Sequence, residues 1–224
     1  MVYDLTPLWI TFKLASVTTI ILLIVGIPIA YWLSFQHCWY KIFVETLVSM
    51  PLVLPPTVLG FYLLVAFSPK SWLGGWFESM FDVRIVFSFA GLVIGSVIFS
   101  LPFMVNPLKS GFQNIPRSLI DAAYTLGKSN LEILWKVLLP NMRSSLWTAV
   151  VMSFAHTLGE FGVVLMIGGN IPGETKVASI AIFEQVEALN YATANFYSLV
   201  LVAISFCILF ALNIIQKRTA DIFY

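Results

Sequence analysis

Apolar residues along this chain fall into five long runs, at positions 14–35, 46–67, 85–108, 146–167 and 196–215, separated by shorter polar stretches. Each run is long enough to cross a hydrocarbon core of about 30 Å as an α-helix. The short alternating segments of a membrane β-barrel are absent. The pattern predicts an all-α integral membrane protein with about five transmembrane helices, built as one membrane unit.

The longest polar connection, 109–145, holds five cations: Lys109, Arg117, Lys128, Lys136 and Arg143. Pro116 closes a turn, and Ser118 offers an N-cap with Asp121 three residues on, in a capping-box-like arrangement. Leu119, Ala122, Ala123 and Leu126 then recur at i, i+3, i+4 and i+7. Gly127 stands where a helix stops, because glycine enters the left-handed region at little cost. The segment predicts a helix about three turns long with a narrow face of small and apolar residues, suited to a groove on a partner. An amphipathic helix lying in the lipid interface would carry the same signature.

Cations also set the orientation. If 109–145 is cytoplasmic, Lys41, Lys217 and Arg218 join it there, making eight of the twelve cations. Lys13, Lys70, Arg84 and Lys176 fall outside, offset by Asp4, Glu78, Asp82, Glu174, Glu184 and Glu187. The N-terminus is therefore expected outside and the C-terminus inside. The first run reads as a span and not as a cleavable signal peptide: it is long, follows Asp4 rather than cations, and precedes no small-residue cleavage site.

Two spans depart from a plain lipid-facing pattern. The second packs Pro51, Pro55, Pro56 and Gly60 into about three turns, which predicts a kinked helix whose freed carbonyls face protein or water. Thr57 is its expected polar contact. A kink that only improves packing is the competing account. In the fourth span Ser153, His156, Thr157 and Glu160 share one helical face, and His156 and Glu160 are placed to pair at i, i+4. An ionisable group within a span usually faces a bundle interior or an aqueous path. A polar clasp between helices would use the same residues.

At 224 residues, 59% hydrophobic and 10% charged, the composition excludes a soluble globule. A net charge of +1 and the lack of a basic tract argue against nucleic acid. Cys38 and Cys207 are placed too far apart in the topology for a disulfide, and no second histidine or cysteine cluster supports a metal site. No catalytic nucleophile with an orienting base is evident. Gly127-Lys128-Ser129 imitates the end of a phosphate-binding loop, but Ala122 occupies the first glycine position and no strand precedes it. If ATP is used, another polypeptide binds it.

Asp121-Ala122-Ala123, Gly127 and Val137-Leu138-Leu139-Pro140 together resemble the EAA loop of binding-protein-dependent ABC importer permeases of type I. Asp121 stands where that family usually has glutamate, and Val137 where it has isoleucine. Pro51 to Gly60 resembles the corresponding segment of molybdate permeases, and Gly159-Glu160-Phe161-Gly162 with Gly169-Asn170-Ile171-Pro172-Gly173 and Thr175 resembles the molybdate and sulfate permease group; Pro55-Pro56 and Leu165-Met166-Ile167-Gly168-Gly169-Asn170 tilt the likeness to molybdate. The resemblance covers residues 8–215 as one transmembrane domain. It implies a non-catalytic permease whose cytoplasmic coupling helix, with Leu119, Asp121, Ala122, Ala123, Leu126, Gly127, Leu139 and Pro140, meets two copies of an ATPase; five helices enclose a pore poorly, so a homodimer with the path at its two-fold interface is expected. ATP and Mg belong to that ATPase, and this chain binds no cofactor. A periplasmic oxyanion-binding protein would deliver the anion in a bacterial or archaeal cytoplasmic membrane. Pro55, Pro56, Thr57, Ser153, His156, Thr157 and Glu160 are the candidates for the translocation path.

Tungstate and sulfate or thiosulfate are the alternative cargoes. An ion-coupled secondary transporter and a non-transporting scaffold are the readings from other classes. The former would be expected to show internal repeats or paired broken helices, and only the second span reads as broken. No lysine or arginine lies deep in a span, so attraction for an oxyanion must come from hydroxyls, amides or helix N-termini. Glu160 would repel a dianion if ionised and facing it, so it is expected protonated or paired, with His156 as the candidate partner. Gly91-x-x-x-Gly95 with Ser96 gives the third span a small face for close helix approach.

Overall fold

The computed structural model describes residues 3–36 and 38–220, and the regular elements among them are all helical. Helix α1 spans Thr6–Phe35. It starts well before position 14 because Pro7 suits a first turn, where the missing N–H would have no helical partner. The buried Thr11 hydroxyl donates to the Pro7 carbonyl (2.7 Å) and accepts the Ala178 N–H (2.7 Å), so an early polar residue is satisfied.

The second apolar run is not one kinked helix. Helix α2 (Tyr40–Ser49) passes through a 3-10 turn (Met50–Leu52), and α3 (Pro56–Phe67) leaves at 111° to it. Proline disfavours helical backbone in the residue before it. Pro55 is accordingly extended (φ −55°, ψ 132°), and Pro56 opens α3. The sequence-based expectation of a kink understated the break.

A short helix α4 (Trp72–Phe81) is capped by Ser71, whose hydroxyl accepts the Gly74 N–H (2.9 Å). Helix α5 runs Phe89–Gln113. Its start lies after position 85 because Phe87, with positive φ, donates its N–H to the Ile167 carbonyl (2.8 Å), and Ser88 then caps the helix. The polar connection forms α6 (Arg117–Thr125), α7 (Asn130–Ile133), a π-helical turn (Leu134–Leu138) and α8 (Leu139–Asn141).

The fourth run is also broken. Helix α9 (Arg143–Leu158) and α10 (Gly162–Gly168) meet at 60°. Helix α11 covers Ala178–Glu187 and α12 covers Tyr191–Ala220, although the side chains at 215 and 217–220 lie outside the described set. Three described helices are long and apolar enough to cross a membrane unbroken, and counting each bent pair as one crossing gives five.

Two apolar clusters hold the bundle. One, with Leu22, Leu33, Met104, Leu108, Phe112 and Leu138, packs α1, α5 and the polar connection at the end that carries α6. The other, with Ile10, Leu14, Leu92, Val163 and Ile167, packs α1, α5 and α10 at the opposite end. Buried polar residues fall at their junction: Thr18 between Leu14 and Leu22, Ser100 between Phe99 and Met104, and Ser153 and Thr157 between Ala149 and Val163. Lys109 at the α6 end of α5 pairs with Glu45 of α2, and its carbonyl accepts a bond from Ser34 of α1 (3.3 Å). Leu199, Val202, Phe206 and Phe210 leave α12 with an exposed apolar flank, which in a membrane faces lipid or another subunit.

Candidate translocation and coupling sites

Ser100 on α5 and His156 on α9 meet near mid-depth. Each lies about 20 Å of helix from the end that carries α6. The Ser100 hydroxyl lies 2.9 Å from His156 Nδ1 and 3.0 Å from the Thr157 hydroxyl, which itself donates to the Ser153 carbonyl (2.9 Å). The imidazole stacks on Phe103 (ring centroids 3.9 Å apart) and sits beside Phe99 (4.8 Å). These contacts fix the ring toward α5.

The expected His156–Glu160 pair does not form. Helix α9 ends at Leu158, and Gly159 takes a non-helical conformation, so Glu160 is not one turn above His156 on a continuing helix. The Ser179 hydroxyl donates to the Glu160 carbonyl (2.6 Å) and pins the break. Glu160 is only 4% exposed, with the Ser96 hydroxyl of α5 beside its carboxyl, although no fully formed hydrogen bond reaches either oxygen among the described residues. The Ser96 and Ser153 hydroxyl oxygens are likewise buried and unpartnered there.

The two breaks face one another. A cleft of about 560 Å³ is lined by Pro56 and Thr57 from α3, Phe99 from α5, His156, and the Gly159–Gly162 break. Gly60 and Gly162 permit the approach: a Cβ on Gly162 would lie 2.8 Å from Pro56 Cβ and 3.1 Å from Thr57 N, and one on Gly60 would lie 3.1 Å from Val163 Cα. Of the seven path candidates, Pro56, Thr57, His156 and Glu160 line this cleft, Ser153 and Thr157 are buried beside it, and exposed Pro55 precedes it. Sequence reasoning missed Phe99, Phe103 and Ser100. The i, i+4 hydroxyls Ser96 and Ser100 on one face of the third span were the signal available. Gly91 and Gly95 pack within the chain against Ile167 and Val163 of α10.

Helix α6 differs from expectation at its start and matches at its end. Pro116 is the N-cap residue and no side chain caps the helix, because the turn after Ile115 already places Pro116 at the helix entrance. The capping box lies at Ser129 and Glu132 instead. Lys136, the Ser129 N–H and Lys128 hold the Glu132 carboxyl at about 2, down from an ordinary 4.5. With the folded value depressed, this contribution is complete above about 4.5 and fades only as pH falls toward 2.

At the other end Gly127 adopts φ +71° and donates to the Tyr124 carbonyl (2.9 Å), while the Lys128 N–H reaches the Ala123 carbonyl (3.1 Å). That is a Schellman cap. The apolar stripe divides between two surfaces. Ala123 is 5% exposed and packs into the chain's own core, whereas Leu119, Asp121 and Ala122 are exposed and Leu126 is 77% exposed. Leu139 is also core, with Pro140 half-buried beside it. Pro140 lacks an N–H and crowds the carbonyl four residues earlier, which accounts for the π-helical turn just before it.

The bundle combines two broken spans, a cleft at their meeting point and an exposed helix on one end. Two solved folds are close: the MetNI methionine ABC transporter in an inward-facing conformation (TM-score 0.72, 18% identity, 95% of this chain and 94% of that one), and a bacterial ABC transporter involved in the import of the acidic polysaccharide alginate (TM-score 0.78, 14% identity, 96% and 79%). The sequence model of the family described as binding-protein-dependent transport system inner membrane component matches residues 14–221, and the chain belongs to that family. It is 45% identical, over 94% of its length and 93% of the relative's, to the molybdenum transport system permease protein ModB of Azotobacter vinelandii. It is 36% identical, over 96% and 93%, to YvgM of Bacillus subtilis (strain 168), assigned to molybdenum transport. The sulfate transport system permease protein CysT of Synechocystis is 31% identical over 79% of this chain and 62% of its own length.

Proposed function

We propose that this chain is the permease subunit of an ATP-driven importer that carries molybdate across the cytoplasmic membrane of a bacterium or archaeon. It works as a homodimer with two copies of a separate ATPase, which binds ATP and Mg, and receives the anion from a periplasmic binding protein. The observation that carries the cargo is the 45% identity to a molybdenum permease over 94% of the chain. The mid-depth cleft lined by Thr57, His156 and Glu160 is the translocation path. The exposed face of α6, with Leu119, Asp121, Ala122 and Leu126, is the surface for the ATPase, and Leu139 and Pro140 anchor that helix to the bundle. With both the second and fourth spans broken, paired broken helices no longer argue against a secondary transporter; membership of the binding-protein-dependent family does.

Reconstitution with an ATPase and a binding protein tests the reading. Molybdate uptake should require ATP and both partners, and should exceed sulfate uptake by about tenfold, the effect of ~1.4 kcal/mol. Tungstate or sulfate preferred over molybdate would reassign the cargo. Uptake driven by an ion gradient without the ATPase would overturn the class.

The chain is oriented with its N-terminus outside and α6 in the cytoplasm. In a background without Cys38 and Cys207, both free, cysteines placed at Ser79 and Glu174 should react with an impermeant thiol reagent on intact cells. One at Ser129 should react only after the membrane is opened. Labelling at 129 from outside would invert the topology.

A further inference from the structure

We infer that α4 lies along the membrane surface at the end of the bundle opposite α6, with its Trp72, Leu73, Trp76 and Met80 face set among lipid headgroups and the upper acyl chains. This goes beyond the transport reading and does not depend on which anion is carried. Ten residues of helix span about 15 Å, half of a hydrocarbon core of about 30 Å, so α4 is too short to cross it. Its depth is set by its neighbours. Four residues separate it from the end of α3 at Phe67. Phe67 and Phe89, the first residue of α5, both pack on the apolar cluster at that end.

Successive residues of an α-helix turn by about 100°, which divides α4 into three faces. Trp72, Trp76, Met80 and Leu73 fall in one arc of about 100° and all are exposed, Trp72 at 83% and Met80 at 64%. Phe77 and Gly74 make the next face, against the protein: Gly74 is buried, and the Phe77 ring centroid lies 6.2 Å from that of Phe67. Glu78, Gly75 and Ser79 make the third, where Glu78 accepts a bond from Arg84 Nε (2.7 Å) and Ser79 is exposed. A helix with one side on protein, one apolar and one polar fits the boundary between a bundle, a bilayer and water.

The helix cannot roll to hide its indoles. A Cβ on Gly74 would collide with the carbonyl oxygens of Phe67 and Ser68, so the α4 backbone rests directly on the end of α3. The Ser71 hydroxyl accepts the Gly74 N–H (2.9 Å) and donates to the Ser68 carbonyl (2.7 Å), which fixes the entry angle. No charge interrupts the exposed apolar face, so it lacks the groups that would orient a protein partner. Two tryptophans suit the headgroup level, where the ring is buried and the N–H stays wet. Exposed Lys70 and Arg84 stand just before and after the helix, the kind of side chain that reaches lipid phosphates from an interfacial segment. An anchored α4 holds the depth of α3, whose other end carries the Pro56 and Thr57 wall of the cleft.

The test uses the full chain without Cys38 and Cys207, co-purified with its ATPase so that assembly is checked. Trp72→Cys, Leu73→Cys, Met80→Cys and Ser79→Cys are made singly, labelled with bimane and reconstituted in phosphatidylcholine brominated high on its acyl chains. Brominated lipid should lower emission at 72, 73 and 80 by about twofold and leave position 79 within about 1.2-fold, since an interfacial face enters the boundary by about 5–10 Å. Aqueous iodide should reverse the order, quenching position 79 at least about threefold more strongly than 72 or 80. The three apolar positions report independently, so any one that assembles decides the outcome. Iodide quenching equal at 72 and 79, with no effect of brominated lipid, would overturn the inference by placing the face in water. Quenching by neither reagent would overturn it in favour of a second copy of this chain. Iodide protection that appears only when the periplasmic binding protein is added would overturn it in favour of that partner. Transport is no part of the readout, so loss of the transport reading would leave this result standing.

Discussion

Replacing Gly127 by valine is expected to lower ATP-driven uptake at least tenfold while the chain remains inserted in the membrane. Gly127 sits at φ +71°, and a Cβ there would meet nothing within 4 Å. The penalty is therefore backbone strain and not a clash with neighbours. A left-handed L-residue costs about 1–2 kcal/mol, and a β-branched one falls at the upper end. That is enough to unwind the Schellman cap, in which the Gly127 and Lys128 N–H groups close on Tyr124 and Ala123. The exposed face of α6 would then be presented at a different angle to the ATPase. Asparagine enters this region far more readily, so Gly127→Asn should transport near the parent rate. Equal uptake in the valine variant would remove α6 from the coupling path.

The same helix separates exposed residues from internal ones. A bulky residue at exposed Ala122 should weaken co-purification of the ATPase with little loss of thermal stability. At Ala123, buried among the chain's own apolar residues, the same change should lower thermal stability first. Sequence spacing assigned both alanines to one docking face, and the fold divides them.

Gly162→Ala should lower the unfolding temperature of the purified complex by between about 2 and 12 °C, and Gly162→Val by more. The added Cβ would lie 2.8 Å from Pro56 Cβ, 3.1 Å from Thr57 N and 3.3 Å from Pro56 C. Backbone and a proline ring cannot turn away, so α3 must move and the cleft must widen. Gly95 provides the contrast. Its Cβ would meet the end of the Val163 side chain at 2.9 Å, so Val163→Ala should rescue much of the loss in Gly95→Ala. A Gly162→Ala protein that melts like the parent would mean that the two breaks are not held together as described.

Several elements were legible without coordinates because their causes are local. Length and hydropathy identify α1, α5 and α12, since a run of apolar residues longer than a bilayer is thick needs no partner to be recognised. The Gly127 stop was readable because the left-handed requirement is a property of one residue. Prolines at 51, 55 and 56 announced a disturbance in the second span. Its depth was not readable, since whether a helix bends or breaks depends on what receives its freed groups, and here α10 packs against the new start of α3.

What the sequence by itself determined is a membrane chain of apolar helices with a short, glycine-stopped helix on one polar connection, because solvent preference and backbone propensity act residue by residue. Which polar groups meet was decided only by the tertiary structure. His156 lies four residues from Glu160, yet it bonds Ser100, 56 positions away, because α9 stops at Gly159 and α5 packs alongside. Glu160 is buried at the edge of a cleft whose other wall, Pro56 and Thr57, comes from a helix about a hundred residues earlier in the chain. Spacing along one helix predicts a shared face only while the helix continues, and the packing of α3 against α10 is what fixes where this one ends.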